Sequence, residues 1–430
     1  MLFQTHINSI KNRNLKYSIL DLFHKESSLV LLDGNSSNDD SFEWMIAAGA
    51  AFHCTTGSQN AFHDLEKFHD THKDWTFGSM TYDLKNGIEN LSSLHPDGIE
   101  VPSLHFFIPK YLFIFNNNQL KIYHHINQNP FNLDLLNHVF VSSGTGFNRT
   151  IEHRVTKFEY IANVNQIKKH IQAGDVYEMN YCQEFFANNA QLNPLNAFIK
   201  LNSISKAPYS CYYKCNDTYL LSASPERYLK RINTRLISQP IKGTRKRGTT
   251  ELEDDFLKDD LLKDQKERSE NVMIVDLVRN DLSRIAAKNS VKVDELFGIY
   301  SFEQVHQMIS TISCELKDEC KLSDILKASF PMGSMTGAPK IRAMQLIEKF
   351  EKTKRGLYAG AVGYIKPNGD FDFNVVIRSI QYNALNKYLS FMVGGAITIG
   401  SDAELEYQEC LVKAKALFQV LEVKHAKTVS

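Results

Sequence analysis

The sequence lacks the features typical of secreted, membrane-spanning and nucleic-acid-binding proteins. Its seven cysteines are an odd number and include no C-x-x-C pair, which argues against a disulfide framework and a zinc knuckle. No segment reaches the roughly 18 apolar residues of a membrane span, and the start has no signal-peptide pattern. Basic and acidic residues both number 49, and no dense basic stripe is present. We expect a cytoplasmic protein with reduced cysteines that binds a small molecule, with no nucleic-acid or membrane partner.

The composition is that of an ordinary globular protein. Hydrophobic residues make up 43% and charged residues 23% of the 430 residues, without a low-complexity tract. Residues 126–150 are rich in Asn, Ser, Thr and Gly and have little periodicity, which favours a connector between two regions. We therefore divide the chain into an N-terminal region, 1–150, which we expect to be part of the same core, and a second region, 151–425, in which we expect the functional site.

The first half of the second region alternates helical and strand-like patterns. The apolar spacing over 155–173 predicts a helix that Gly174 ends, and a strand-like segment follows. Two strands are predicted within 218–241. The segment 264–288 predicts a helix that is apolar on nearly every face in its middle, which is typical of a helix buried inside a large protein.

The second half begins with a loop and ends with a helix. The loop 332–340 leads into a helix, with Pro339 expected in the first turn. Three strand-like runs over 357–400 follow. Ser401 and Glu404 then predict a capping box for the last helix.

Lys242 is the first candidate for chemistry. In PIKGTRKRG (240–248) it lies between a strand end and a glycine, where a ligand can approach the backbone. By itself a lysine in such a motif is far more often a solvated surface residue than a catalytic one. A lysine becomes a nucleophile if burial or a cationic neighbour lowers its pKa, and Arg245, Lys246 and Arg247 are close in sequence. The motif therefore permits nucleophilic catalysis without establishing it.

Two pairs of glutamates have the spacing of one helix face. They are Glu267 with Glu270 and Glu406 with Glu409. Such pairs are usually solvated, but Glu270 directly precedes an apolar run, and a buried carboxylate must be paired or bind a metal. One carboxylate from each helix, together with substrate oxygens and water, would suit Mg²⁺. A solvated surface and a magnesium site both remain open.

Two further features could bind a carboxylate. The loop 332–340 is not a nucleotide phosphate loop, because Lys340 neither follows a glycine nor precedes Ser or Thr. A glycine loop at a helix start can still bind an anion, although a tight turn explains it equally well. Arg378 lies inside an apolar strand-like run, so it is expected either to bind a substrate carboxylate or to form an internal salt bridge.

Seven motifs, taken in order, resemble the chorismate-binding enzymes, a family that includes anthranilate, aminodeoxychorismate, isochorismate and salicylate synthases. They are SPERY (224–228), PIKGTRKRG (240–248), RSENVMIVDLVRNDLSRI (268–285), GSMTGAPKIRAM (333–344), RGLYAGAVGY (355–364), VVIRSI (375–380) and GGAITIGSDAELEYQECLVKAKAL (394–417). The resemblance implies an α+β fold of two large packed antiparallel β-sheets with helices on the outside. It also implies a Mg²⁺-dependent enzyme that acts on chorismate.

The resemblance implies roles for individual residues. Glu270 and Glu409 match the magnesium-binding glutamates of the family, with Glu406 close by. Glu226 matches a residue proposed for acid/base help, and Lys242 matches the nucleophilic lysine of aminodeoxychorismate synthases. The positions that match chorismate-binding residues are Gly243, Thr244, Ser334, Lys340, Tyr358, Arg378, Gly394 and Gly395, of which the last two are expected in a turn.

The activity that this resemblance implies is the amination of chorismate to 4-amino-4-deoxychorismate, on the route to 4-aminobenzoate and folate. A separate glutamine amidotransferase subunit would supply the ammonia. The activity of anthranilate synthase component I is the alternative within the family, and Lys242 argues against it because anthranilate synthases have a small residue there. A non-catalytic, regulatory chorismate-binding protein is the alternative from another class.

Some positions depart from the family pattern. Glu178 stands where amine-adding relatives usually have glutamine and where isochorismate and salicylate synthases have a lysine base. Ala396 stands where relatives often have glycine. His306 is one position before the histidine of anthranilate synthases, whose place Gln307 takes. No role follows from the sequence for Glu178, His306 or Gln307.

Overall fold

The computed structural model of the protein describes residues 1–8, 14–35 and 42–423. Within these ranges the strands are β1 (Leu2–Asn8), β2 (Ser28–Asp33), β3 (Trp44–Thr56), β4 (Thr76–Met80), β5 (Leu104–Asn116), β6 (Gln119–His124), β7 (Glu152–His153), β8 (Glu178–Ala187), β9 (Tyr209–Cys215), β10 (Thr218–Ser224), β11 (Arg227–Ile232), β12 (Arg235–Gln239), β13 (Ile241–Lys246), β14 (Lys292–Ser301), β15 (Val305–Glu315), β16 (Gly337–Ala338), β17 (Ala361–Ile365), β18 (Phe371–Val375), β19 (Ser379–Asn383) and β20 (Tyr388–Ile397).

The helices lie between these strands and after them. They are α1 (Leu15–Leu22), α2 (Ala61–His72), α3 (Lys85–Ile88), α4 (Lys157–Gln172), α5 (Pro194–Ser205), α6 (Glu251–Lys263), α7 (Gln265–Ser283), α8 (Leu322–Ser329), α9 (Lys340–Phe350) and α10 (Ala403–Val420). Within the ranges that the structure describes, none of them combines the length and the apolar character needed to cross a membrane.

The long strand β5 joins two arms of antiparallel strands. One edge of β5 pairs with β3, and its other edge pairs first with β4 and then with β6. The first arm continues from β3 through β2, β9, β10, β19 and β20 to β8. The second continues from β4 through β17, β18, β11 and β12 to β15, which also pairs with β13 and β14. The expected α+β fold is confirmed, and its sheets form one hydrogen-bonded network through β5.

Both arms contribute to one contiguous hydrophobic core. Leu221 and Phe391 of the first arm belong to it, as do Leu229 and Phe373 of the second. Helices α5 and α10 pack on β10 and β20, whereas α6 and α7 pack on β13 and β15. These contacts place α7 and α10, which contain the two glutamate pairs, beside strands that contain other motif residues.

The predicted helices over 155–173 and 264–288 are α4 and α7, but one inference about α7 was wrong. The helix is not buried on every side: Ile274 and Val278 are buried, whereas the side chain of Val272 is 40% exposed. It is therefore an amphipathic helix that packs one face on the sheet. The sequence did not reveal that α7 is amphipathic, because apolar residues also occur on its exposed face.

The strand predictions were incomplete. The two strands expected within 218–241 are β10 and β12, and β11 lies between them. Strand β11 begins with Arg227, whose buried guanidinium donates to both carboxylate oxygens of Asp372 at 3.0 and 3.1 Å. The half-buried strand β11 was not predicted because it contains charged residues, and the partners that allow their burial are distant in sequence.

Two local predictions near the site were also wrong. Asp402, and not Ser401, is the N-cap of α10 and accepts hydrogen bonds from two backbone N–H groups. The Ser401 hydroxyl donates instead to Oε1 of Glu406 at 2.7 Å. Pro339 is the N-cap of α9 and not a residue of its first turn. In α10 the aspartate that follows Ser401 is an equally good N-cap residue, and the sequence spacing alone does not decide between the two.

Candidate active site

Lys242 lies on β13 among four carboxylates from separate parts of the chain. They belong to Glu178 at the start of β8, to Glu226 between β10 and β11, and to Glu267 and Glu270 on α7. Burial opposes the charge of the lysine, but the four carboxylates outweigh this effect and raise the pKa of Lys242. The ammonium has no hydrogen bond or ion pair within the described part of the chain, so it is available to a ligand.

The expectation that cationic neighbours lower the pKa of Lys242 was therefore wrong. Arg245 donates to Asp260 at 2.8 Å and to Asp264 at 2.6 Å. Arg247 forms a two-pronged pair with Asp254, with both N–O distances at 2.8 Å. These pairs neutralise the arginines, so the carboxylates dominate the electrostatics at Lys242.

Glu226 is a buried carboxyl group with access to both protonation states near neutral pH. Its side chain is 4% exposed. Burial raises the pKa of Glu226 to about 7, while a hydrogen bond from the Ser334 hydroxyl, the charge of Lys242 and the Ile241 backbone N–H oppose the rise. A group with this pKa can donate a proton at neutral pH, as general acid catalysis requires.

Glu178 is the least exposed carboxylate in this cluster. It is 1% exposed, and neither of its carboxylate oxygens has a hydrogen-bond partner. Its backbone pairs with Ala338 of β16, which belongs to the loop that also contains Ser334. Burying a carboxylate without a hydrogen-bond partner destabilises the fold. Such a group indicates that a ligand or a reacting side chain supplies the missing hydrogen bond.

A second set of charged groups links α7 to α10. The Lys266 ammonium lies 3.8 Å from Oε1 of Glu270 and 3.4 Å from Oε1 of Glu406. Burial raises the pKa of Glu270 to about 7, although Lys242 and Lys266 oppose the rise. The half-exposed Glu409 pairs with Lys413 at 2.7 Å. Although burial opposes it, this lysine lowers the pKa of Glu409.

These carboxylates fit Mg²⁺, which usually takes one or two carboxylates together with water and substrate oxygens. Oε1 of Glu270 is buried and accepts no hydrogen bond. Gly395 keeps space open beside α10, because a Cβ there would lie 3.3 Å from Oε2 of Glu406 and 3.7 Å from Oε1 of Glu409. Among the described residues, no three His, Cys, Asp or Glu side chains form a closed metal cage. The arrangement therefore suits a cation that substrate also binds.

Arg378 occupies the break between β18 and β19, with a φ of +52°. It was expected inside a strand, so this position is a correction. Its guanidinium has no hydrogen bond or ion pair within the described residues, and this rules out the internal salt bridge there. Burial lowers the pKa of Arg378, and the nearby Tyr358 and Glu409 oppose this shift. An arginine in this setting is a natural partner for a substrate carboxylate.

Tyr358 lies next to Arg378 in a tightly packed part of the site. It is 4% exposed, and its hydroxyl lies 3.6 Å from Sγ of Cys182. The next residue, Ala359, has a φ of +60°. Left-handed backbone at non-glycine residues is uncommon and concentrates at functional sites, where the surroundings fix it.

The loop 332–340 is bound to the core and does more than form a tight turn. Asn180 donates a hydrogen bond to the carbonyl oxygen of Ser334, whose hydroxyl reaches Glu226. The Lys340 ammonium lies 2.5 Å from Oδ2 of Asp281. Lys340 is thus held in an internal ion pair, whereas Ser334 lies directly beside the Lys242 cluster.

Glycine is required at different positions of the site for different structural reasons. Gly243 has a φ of +89°, and a Cβ there would lie 2.9 Å from Cδ1 of Leu261. Gly394 and Gly395 lie within β20 and not in the expected turn. The neighbouring Thr244 is exposed on β13. Backbone geometry therefore explains Gly243, and close packing of strands explains Gly394.

His306 is a structural residue in this arrangement. It is fully buried, its Nε2 lies 2.8 Å from Oδ1 of Asp254 and its Nδ1 lies 2.9 Å from the Ser301 hydroxyl. It therefore connects α6 to the hairpin of β14 and β15. Its neighbour Gln307 is 3% exposed, and its Oε1 has no hydrogen-bond partner.

The sequence interpretation missed Lys266, Asn180 and Asp281. Lys266 could have been found, because it precedes Glu270 by four residues on one helix. Asn180 and Asp281 give no such signal, since their partners Ser334 and Lys340 are distant in sequence.

The family model described as chorismate binding enzyme matches residues 32–419. The chain is 34% identical over 349 residues to aminodeoxychorismate synthase component 1 of Escherichia coli, covering 80% of this chain and 76% of the relative. It is 31% identical over 392 residues to aminodeoxychorismate synthase component 1 of Bacillus subtilis, covering 86% and 83%.

The fold is shared with solved structures. Anthranilate synthase component I from Streptococcus pneumoniae superposes with a TM-score of 0.76 at 26% identity, covering 88% of this chain and 92% of that one. The menaquinone-specific isochorismate synthase from Escherichia coli has a TM-score of 0.77 at 18% identity, covering 97% and 94%, and shows the fold alone. The chain belongs to the family of chorismate-binding enzymes.

Proposed function

We propose that the chain is the chorismate-converting subunit of an aminodeoxychorismate synthase, which makes 4-amino-4-deoxychorismate from chorismate and ammonia. The observation that carries the proposal is the position of Lys242, a lysine without a direct partner that lies among the carboxylates of a chorismate-binding enzyme. The similarity to two aminodeoxychorismate synthase components supports it. A small residue at this position would leave the site without a nucleophile.

Two groups of residues bind chorismate: Arg378 with Tyr358, and the carboxylates that would hold Mg²⁺. Arg378 binds a substrate carboxylate through its unpaired guanidinium, and Tyr358 packs beside it. Glu270 and Glu409 would hold Mg²⁺, which supplies positive charge to a substrate carboxylate and to the departing oxygen when it is bound. Ser334 orients the Glu226 carboxyl group toward Lys242.

The reaction proceeds in two displacement steps. The neutral amine of Lys242 forms a bond to ring carbon C2 while both ring double bonds shift around the ring away from C2 and the C4–O bond breaks. Glu226 donates a proton to the departing hydroxyl, which leaves as water. Ammonia then forms a bond to C4, both double bonds shift back, and the C2–N bond to Lys242 breaks.

The ammonia comes from a separate glutamine amidotransferase subunit. The name component 1 of the relatives fits a divided enzyme. All seven cysteines are unpaired thiols, five of them buried, as expected for packing residues. Thiols of this kind suit a reducing compartment, and we place the reaction in the cytoplasm.

A product assay tests the function. Purified protein receives chorismate, Mg²⁺ and a high concentration of an ammonium salt, with and without aminodeoxychorismate lyase. We expect 4-aminobenzoate that depends on the lyase. Lys242→Ala should abolish it, whereas Lys246→Ala, which changes a neighbouring exposed lysine, should retain it. Anthranilate formed without the lyase would indicate an anthranilate synthase, and unreacted chorismate would indicate a binding protein.

A further inference from the structure

Lys242 needs a group that accepts a proton from its side chain, and the roles proposed for the other site residues do not include one. The surrounding carboxylates raise its pKa, so the resting side chain is an ammonium ion. An ammonium ion has no lone pair and cannot attack carbon, so the lysine must first lose a proton. Glu226 cannot accept that proton in its role as the acid, because it must itself be protonated when the hydroxyl leaves.

The four carboxylates around Lys242 differ in their hydrogen bonds and in their charged neighbours. Glu226 accepts a hydrogen bond from Ser334. Glu267 lies 3.6 Å from an arginine nitrogen, and Glu270 lies 3.8 Å from a lysine nitrogen. Of the four, only Glu178 has two buried oxygens that both lack a hydrogen-bond partner. Its electrostatic effect on Lys242 is the largest among the carboxylates.

We propose that Glu178 is a further catalytic residue, which accepts the proton that Lys242 must lose before its amine attacks and returns that proton when the amine leaves. This inference rests on the proposed function, because it concerns the lysine nucleophile of that reaction. The position of Glu178 supports it, since β16 pairs with the start of β8 and fixes the backbone of Glu178 beside the loop that contains Ser334.

The protons balance without a further reactant. Lys242 transfers one proton to Glu178 through one bridging water, because the two side chains form no direct hydrogen bond or ion pair in the structure. The neutral amine then forms the C2–N bond as the C4–O bond breaks, and Glu226 supplies the proton that completes water. Ammonia forms the C4–N bond, the C2–N bond breaks, and Glu178 returns its proton to the released amine. The ammonium group of the product gives one proton to Glu226. Both carboxyl groups then have their starting protonation states.

The variant Glu178→Gln tests this role, because it keeps the size of the side chain but cannot accept a proton. We expect kcat with ammonium to fall about a hundredfold at pH 7, which is typical of a lost general base. We also expect kcat to rise about tenfold per pH unit above neutrality, since solvent hydroxide must then deprotonate Lys242, while the KM for chorismate changes little. A variant with the kcat and pH profile of the parent would overturn the proposal.

A second variant keeps the test independent of how glutamine fits the site. Glu178→Ala leaves space that formate can enter, whereas glutamine fills that space. We expect formate to restore part of kcat in Glu178→Ala and none in Glu178→Gln. An equal response of both variants would contradict a role in proton transfer. Thermal unfolding midpoints close to that of the parent establish that each variant is folded.

The same series separates this inference from the proposed function. The parent enzyme is assayed for 4-aminobenzoate that depends on the lyase. Absence of this product would overturn the proposed function and the role of Glu178 with it. Product from the parent, combined with an unaltered Glu178→Gln variant, would overturn the role of Glu178 alone.

Discussion

The ammonium of Lys266 on α7 lies 3.4 Å from Oε1 of Glu406 on α10. It also lies 3.8 Å from Oε1 of Glu270, so one cation connects the two helices that contain the candidate magnesium ligands. Its side chain is 52% exposed, which allows it to turn away without a large rearrangement. Lys266 therefore partly neutralises the carboxylates that a divalent cation would bind.

Replacing Lys266 should strengthen the binding of Mg²⁺. Lys266→Met removes one positive charge near Glu270 and Glu406, and we expect the dissociation constant to fall several-fold, or about 1 kcal/mol. Titration calorimetry with Mg²⁺ and the free protein measures this directly. Lys263→Met, which changes an exposed lysine at the end of α6, should leave the constant unchanged. Weaker binding in Lys266→Met would contradict the assigned electrostatic role.

Arg378 should determine the affinity for chorismate more than the rate. Arg378→Met removes the unpaired guanidinium, and we expect the KM for chorismate to rise about 10-fold to 100-fold, as for a lost charged hydrogen bond of about 1.5–3 kcal/mol. Arg378→Lys should recover only part of this affinity, because lysine cannot bind a carboxylate with two parallel bonds. Steady-state kinetics measure the effect, with the exposed Arg235→Met as control. An unchanged KM would place the substrate carboxylate elsewhere.

The raised pKa of Glu226 predicts how stability depends on pH. The folded protein binds this proton with a pKa of about 7, against 4.5 as the ordinary value. The folded state therefore holds the proton more tightly, so its contribution to stability is present below pH 4.5 and is lost as pH rises to about 7. Glu226→Gln stays neutral, and above pH 7 its free energy of unfolding should exceed that of the parent by up to about 3 kcal/mol.

Urea unfolding of parent and variant checks this expectation. The two should differ little at pH 4 and most at pH 8, while Glu226→Gln forms almost no product because it lacks the acid. An equal stability difference at both pH values would indicate that titration of Glu226 is not its source.

Gly394 and Gly395 should respond differently to the same substitution. A Cβ on Gly394 would lie 2.3 Å from the backbone oxygen of Tyr181, so Gly394→Ala should separate β20 from β8 and cost about 1–3 kcal/mol. The nearest atom to a Cβ on Gly395 is Oε2 of Glu406 at 3.3 Å, and this side chain can shift. Gly395→Ala should therefore keep the thermal midpoint but raise the KM for chorismate. Equal loss of stability in both would be unexpected.

Local patterns in the sequence predicted much of the architecture. Helical spacing predicted α4 and α7, and turn residues marked the end of α4 at Gly174. The i, i+3 spacing placed Glu267 with Glu270 and Glu406 with Glu409 on common faces. These features depend on neighbours within one or two turns, and for this reason the sequence alone could specify them.

Predictions that depended on distant partners were less reliable. Strand β11 was missed because the partner of Arg227 is Asp372, far along the chain. The break at Arg378 was also missed, since an apolar run does not reveal a left-handed residue. The ion pair of Lys340 with Asp281 could not be predicted from local spacing either, and the substrate-binding role of Lys340 stays a prediction.

The sequence by itself determined which residue types are available for the chemistry: a lysine before a glycine, paired glutamates on two helices and an arginine in an apolar run. Only the tertiary structure decided their electrostatic states. It raised the pKa of Lys242, although the adjacent arginines predicted the opposite, because those arginines pair with aspartates of α6 and of the α6–α7 junction. It also left Glu178 buried without a partner. Charge and burial depend on which segments meet in space, and local sequence patterns do not contain that information.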